Sequence, residues 1–170
     1  MKRAVFFDRD NTIIEDVPYN GDADKVTLLQ GAVDAMKHCS LLGYELVIIT
    51  NQSGVGRGYI TEQQMNEVNR KVEALLRDAG VFIRKTYSCI HAPDERCLCR
   101  KPGAGLLKAA AEELNISLNH SVMVGDKISD VKAGINAGCG MNILISETEN
   151  ECNEFIVIRH IKDIVKVIVR

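Results

Sequence analysis

Arg3-Ala4-Val5-Phe6-Phe7-Asp8-Arg9-Asp10-Asn11-Thr12 is the stretch on which the fold is decided. Val5, Phe6 and Phe7 form a short apolar run with charge on either side, the pattern of a strand buried on both faces of a parallel sheet. Asp8 and Asp10 follow at once. Residues i and i+2 of an extended chain point to the same side. The two carboxylates therefore lean together at the carboxyl end of a central strand, where open α/β sheets place their ligands. So close a pair repels. Either a divalent cation lies between them, and oxygen ligands suit Mg²⁺, or one acid keeps its proton. An enzyme can use both, one as nucleophile and one as general acid and base. The plainer alternative is a solvated acid pair in a loop.

Composition narrows the setting. A chain of 170 residues is expected to form one domain over 1–170, large enough for a proper core. Its net charge of −2 and its lack of a basic run or aromatic platform argue against a nucleic-acid partner. After Lys2 and Arg3 only four apolar residues, Ala4 to Phe7, precede Asp8, too few for a signal peptide. No apolar stretch approaches the ~20 residues of a membrane span. The expectation is a cytoplasmic protein, likewise without a membrane partner, in which disulfides do not persist.

Outward from the first strand, residues 13–30 are mixed, with Pro18, Asn20 and Gly21, and read as a loop or small flap over the site. Val33, Met36 and Leu41 suggest a helix over 32–42 closed by Gly43. The β-branched run 44–50 is a second buried strand, followed by a polar, Gly-rich loop at 51–58. Thr61 and Gln64 form a capping box, and Met65, Val68, Val72, Leu75, Leu76 and Ala79 continue at helical spacing up to Gly80. Further strands are expected at 86–90, 121–125, 141–145 and 155–158. Helices are expected at 105–114 and 130–137, with a terminal helix carrying Ile161, Ile164, Val165 and Ile168. This alternation predicts an α/β fold with a doubly wound, mostly parallel sheet.

Cys89-Ile90-His91 and Cys97-Leu98-Cys99 place three sulfurs and one imidazole within eleven residues. Zn²⁺ favours four tetrahedral ligands of this kind, and a closed Cys₃His site is structural. The ion would staple the loop from Ala92 to Arg96, which has little apolar content of its own. Cys39, Cys139 and Cys152 stand apart and read as small core residues or free thiols.

Other groups can reach the aspartates. Thr50 ends the second strand at the same sheet edge, where its hydroxyl either holds phosphoryl oxygens or caps a turn. Arg100 and Lys101 follow the last cysteine directly. They are either a solvated pair or two cations aimed at an anionic substrate, and a lysine can stabilise charge developing on phosphoryl oxygens. Asp126 sits at the end of the fourth strand, with Asp130 four residues on. Asp126 can supply a further metal oxygen with Asp130 supporting it; alternatively Asp130 simply faces a helix N-terminus.

These motifs, in this order, resemble the haloacid dehalogenase superfamily of phosphotransferases: Asp8 and Asp10, then Thr50, then Lys101, then Asp126 with Asp130. The segment Thr50-Asn51-Gln52-Ser53-Gly54, the Cys/His cluster, Arg100-Lys101-Pro102 and Gly125-Asp126-Lys127 are similar to the D-glycero-D-manno-heptose 1,7-bisphosphate phosphatase group, from Val5 to Gly140. Histidinol-phosphate phosphatases are the next relatives. Asn11 departs from the usual glycine of that pattern, but asparagine tolerates a left-handed backbone.

The resemblance implies a fold without a large cap domain and a reaction through an aspartyl-phosphate. Asp8 would be the nucleophile and Asp10 the acid and base. Mg²⁺ would be held by Asp8, Asp10 and Asp126, and Zn²⁺ by Cys89, His91, Cys97 and Cys99. Thr50 and Lys101 would hold the phosphoryl oxygens. Asp16, Tyr19, Asn51, Gln52, Ser53, Arg100 and Lys127 would line the entrance for a small phosphorylated sugar in surface-polysaccharide precursor synthesis. A monomer is expected. Two other classes compete: a signalling receiver that stores phosphate on an aspartate, and a zinc-stapled binding module. Asp10 argues against the first and the complete acid–lysine set against the second.

Overall fold

The structure is a computed structural model that describes residues 1–169. Its centre is a six-stranded sheet: β1 Ala4–Phe7, β2 Glu45–Asn51, β3 Lys85–Cys89, β4 Val122–Gly125, β5 Met141–Ile145 and β6 Ile156–Ile158. The strand order is β3-β2-β1-β4-β5-β6 and every pairing is parallel. The order reverses at β1, so the crevice of a doubly wound sheet opens beyond its carboxyl end.

Five α-helices cover the sheet: α1 Ala32–Leu41, α2 Ser53–Gly56, α3 Glu62–Asp78, α4 Gly105–Leu114 and α5 Ile128–Ala137. The alternation of β1 decides which face each meets. Val5 and Phe7 join Met36 of α1, Val68, Val72 and Leu76 of α3, and Ile161 and Ile164 near the end of the chain. Ala4 and Phe6 point the other way, to Leu107 and Ala110 of α4 and Ala133 of α5. All four β1 residues are fully buried, and each phenylalanine contributes about 1.5–3 kcal/mol by leaving water. The end of β1 is thus a rigid mount.

The capping box at Thr61 is formed: Gln64 N–H donates to Thr61 Oγ1 at 3.1 Å and Thr61 N–H to Gln64 Oε1 at 2.9 Å. Gly43 and Gly80 take positive φ just beyond α1 and α3, as helix stops should.

Three expectations need correction. The Gly-rich loop after β2 contains the one-turn helix α2. The segment 13–30 is not merely a flap: Ile13 and Ile14 lie in the core, Ile14 bridges Leu28, and its only helical element is a 3-10 turn at Ala23–Lys25. The terminal helix is a 3-10 helix, Ile161–Lys166. Its buried residues, Ile161 and Ile164, are three apart and so eclipse in that geometry, while the run of β-branched residues resists an α-helix. No large cap lies over the sheet edge among the described residues, and no helix there is long and apolar enough to cross a membrane.

Candidate active site

Asp8 emerges from β1 with its N–H donated to Val124 O at 2.9 Å, so β4 fixes its backbone. The side chain is buried. Asp8 Oδ1 accepts from Lys101 Nζ at 2.5 Å, and the same ammonium lies 2.7 Å from Asp130 Oδ1 and donates to Ile49 O at 2.8 Å. Burial raises the Asp8 pKa, Lys101 works against that rise, and Asp130 adds to it. Burial also disfavours the Lys101 charge, but Asp8 and Asp130 more than offset this and hold it protonated.

Asp130 comes to this point because α5 begins beside β4. It accepts from Lys127 N–H at 2.9 Å. Residue 125 is glycine for a reason of space: a Cβ there would collide with the Asp130 carboxylate.

Asp8, Asp126 and Asp130 each present a carboxylate oxygen within 4.8 Å of the others. One ammonium cannot neutralise three acids. Burial raises the Asp126 pKa, with a hydrogen bond from Asn11 opposing. Asp126 Oδ1 is buried without a hydrogen-bond partner, and an orphaned carboxylate oxygen of this kind is costly. Its other oxygen accepts from Asn11 Nδ2 at 3.1 Å. Asn11 adopts φ 57°, so the turn survives without the usual glycine. An all-oxygen, over-acidic donor set fits Mg²⁺.

Asp10 faces a different environment. Gln52 Nε2 donates to Asp10 Oδ2 at 2.7 Å and to Thr50 Oγ1 at 2.7 Å. Arg9 NH2 donates to both Asp10 oxygens, at 3.0 and 3.1 Å. Thr50 is fully buried at the end of β2, level with the acids. The Asn51 side chain clamps the main chain of Lys101, with Asn51 Nδ2 donating to Lys101 O and Lys101 N–H to Asn51 Oδ1, both at 3.1 Å.

A cleft of about 300 Å³ opens beside Asp10, lined by Asp16, Tyr19, Asn51, Gln52, Ser53, Arg100 and Lys127 among others. Arg100 NH1 is buried without a partner, a donor suited to an anion. Tyr19 takes φ 51°, strained for an aromatic residue, and its ring meets that of Tyr59 edge-on at 4.7 Å. A second cleft, of about 380 Å³, lies at the amino ends of the strands around Arg3, Tyr44 and His120, but no acid cluster faces it.

Beyond β3, the four residues expected to bind zinc do converge. Cys89 Sγ lies 3.5 Å from His91 Nδ1, 3.7 Å from Cys97 Sγ and 3.1 Å from Cys99 Sγ, and His91 Nδ1 lies 3.2 Å from Cys99 Sγ. Zinc–sulfur bonds of about 2.3 Å imply tetrahedral edges near 3.7 Å, so the cluster needs only small adjustment to close on an ion. Burial pushes the Cys89 thiol up to about 12. Cys97 is drawn down to about 7: burial opposes this, but the Arg100 N–H and neighbouring thiols outweigh it.

The sequence reading passed over Arg9 and Asn69. Arg9 is 1% exposed, and its NH1 donates to Asn69 Oδ1 at 2.7 Å. The available signal was the position of Arg9 between two acids that share a side, which turns its own side chain toward α3.

A parallel sheet that gathers acids and one buried lysine at its carboxyl edge defines the class, the haloacid dehalogenase (HAD) phosphatases. Comparison with known proteins narrows it. Residues 3–153 match the family described as polynucleotide kinase 3 phosphatase. D-glycero-beta-D-manno-heptose-1,7-bisphosphate 7-phosphatase of Haemophilus influenzae is 39% identical over 151 residues, covering 85% of this chain and 82% of that protein. The enzyme of the same name from Helicobacter pylori is 40% identical over 146 residues, covering 85% and 84%. Among solved structures, the D,D-heptose 1,7-bisphosphate phosphatase of B. bronchiseptica, complexed with magnesium and phosphate, superposes with a TM-score of 0.87 at 25% identity, covering 98% of this chain and 97% of that one. A HAD-like phosphatase from Mesorhizobium loti gives 0.88 at 30% identity, covering 97% and 85%. The chain belongs to this family of HAD phosphatases, together with the heptose-bisphosphate phosphatases.

Proposed function

We propose that the chain is a Mg²⁺-dependent phosphomonoesterase that removes the 7-phosphate of D-glycero-β-D-manno-heptose 1,7-bisphosphate. The observation that carries this reading is the pairing of a buried Asp8–Lys101–Asp130 contact with Asp10 held at the edge of a cleft that contains the unpartnered Arg100 guanidinium. The named relatives supply the substrate.

An Asp8 oxygen attacks phosphorus, and the bond from phosphorus to the sugar oxygen breaks. Asp10 delivers its proton to that oxygen, and the free alcohol leaves. Water then attacks the aspartyl-phosphate and gives its proton to the Asp10 carboxylate. The acyl–phosphate bond breaks, and Asp8 and phosphate are regenerated. Lys101 and Thr50 hold phosphoryl oxygens as charge develops. Asp8, Asp126 and the main-chain carbonyl of Asp10 would hold Mg²⁺, which supplies charge neutralisation between the nucleophile and the phosphate dianion. Arg100 and Lys127 receive the far end of the substrate, including its second phosphate. Tyr19, Asp16 and Ser53 border the sugar, while Asn51 and Gln52 hold Lys101 and Asp10 in place.

Zn²⁺ at Cys89, His91, Cys97 and Cys99 is structural in this reading. Residues 1–170 act as one domain and as a monomer, in a cytoplasm whose reduced thiols leave the zinc ligands free. Phosphate release is to be measured with Mg²⁺ on both anomers of the heptose bisphosphate, histidinol phosphate and a 3′-phosphorylated oligonucleotide. The β anomer is expected to give the highest kcat/KM. A higher value on histidinol phosphate or the oligonucleotide would overturn the substrate, and no release from any of them would overturn the enzyme.

A further inference from the structure

Arg9 has no part in the scheme above, yet it is a full charge buried in the interior, 1% exposed. Buried charges persist where partners compensate their desolvation, and three of the four hydrogen bonds here go to Asp10. Nε and NH2 both donate to Asp10 Oδ1, at 3.3 and 3.0 Å, and NH2 reaches Oδ2 at 3.1 Å. NH1 is turned away and donates to Asn69 Oδ1 on α3 at 2.7 Å. Asn69 in turn donates to Ser88 Oγ on β3 at 3.2 Å. The guanidinium is therefore aimed from behind, by two elements of the core, at the acid beside the nucleophile. Arg9 borders the cleft beside Asp10, but with NH1 engaged on Asn69 and almost no exposed surface its charge is turned to Asp10.

An arginine can only donate hydrogen bonds. Its fork strengthens bonds to an ionised carboxylate and gains much less from a neutral acid. The reaction proposed here needs Asp10 in both forms in turn: acid while the sugar oxygen leaves, carboxylate while water attacks.

We propose that Arg9 is a positioning residue for the second half-reaction. It fixes the Asp10 carboxyl group, engaging both its oxygens at 3.0 and 3.1 Å, in the orientation from which that group takes the proton of the attacking water, and Asn69 fixes its aim. This inference rests on the aspartyl-phosphate reading of the site and adds to it a residue that aims the group serving the second step.

The test uses p-nitrophenyl phosphate, whose leaving group needs little protonation, so that loss of the second step is isolated. Wild type, Arg9→Met and Asn69→Ala, each loaded with Zn²⁺ and Mg²⁺, are compared for p-nitrophenol burst and steady-state turnover. Acid-quenched phosphoenzyme is counted with labelled substrate. Arg9→Met is expected to lower turnover about 10²-fold, the scale of a lost proton transfer, while raising the fraction of chain trapped as aspartyl-phosphate above that of wild type. Asn69→Ala should shift both readings the same way, by about 10-fold or less. Guanidinium added to Arg9→Gly should restore turnover where an alkylammonium does not.

If the variants keep wild-type circular dichroism and zinc content but lose turnover with no rise in phosphoenzyme, the proposal is overturned. Should Arg9→Met not fold, Asn69→Ala alone decides it by the same criterion. Failure of wild type itself to form phosphoenzyme or release phosphate overturns the underlying reading instead.

Discussion

At the end of β1 the acids are held by the sheet; at the end of β3 Cys89 is buried in the core, but Cys97 and Cys99 are carried by a loop and lie only partly buried against it. Asp8 rises from four fully buried residues and hydrogen-bonds to β4, and Lys101 already offsets part of its charge. The segment beyond Cys89 has Ala92 as its one buried apolar residue before Cys97, while Leu98 is 87% exposed. Packing can therefore organise the first cluster by itself, whereas the second would gain much of its order from the zinc ion proposed for it. The two are also joined. Lys101 lies two residues beyond Cys99, and Asn51 clamps its main chain, so the weaker region sets the aim of the stronger one's cation.

Removing the nucleophile is the harshest challenge to the first region. Asp8→Asn is expected to lower phosphate release by about 10⁴-fold or more while the melting temperature stays within a few degrees, because the mount is intact. Calorimetry beside a turnover assay checks this, and residual activity within tenfold of wild type would refute the assignment. Lys101→Met should damage stability most. It leaves Asp8 and Asp130 buried without their cation, at a cost of about 3–5 kcal/mol, read from urea unfolding. Saturating Mg²⁺ should recover part of that loss.

Stripping zinc tests the second region directly. A zinc-selective chelator, or Cys99→Ser, should lower the melting temperature by about 5 °C or more, with the loss of metal followed by elemental analysis. KM should rise as Arg100 and Lys101 lose their anchor. An unchanged melting curve in metal-free protein would show that the loop needs no ion. The gentlest probe is Asn11→Gly. It keeps the left-handed turn and removes only the hydrogen bond to Asp126, so Mn²⁺ titration should show affinity weakened about fivefold, equivalent to about 1 kcal/mol.

What could be read in advance follows the same division. Strands such as Val5–Phe7 and Leu46–Ile49 announce themselves because burial on both faces demands unbroken apolar runs. The acids at their ends follow from strand geometry, and the zinc ligands from their spacing. Arg9 could not be recognised that way, since a charge between charges looks solvated; its burial depends on Asn69, sixty residues away. The turn α2 was hidden in glycines that usually signal a loop. The Ile161–Lys166 segment carries apolar residues at a spacing shared by 3-10 and α-helices, and only its packing on α1 separates them.

The segment between β1 and α1 has one 3-10 turn and no large cap among the described residues, and its residues 16–20 form one wall of the cleft. In the proposed reading, water and alcohol share the mouth of this cleft, and selectivity would fall to the rim formed by Tyr19, Ser53, Arg100 and Lys127. Bulky molecules can present a phosphate there without being swallowed whole, so discrimination among phosphate esters has to be written in those few side chains.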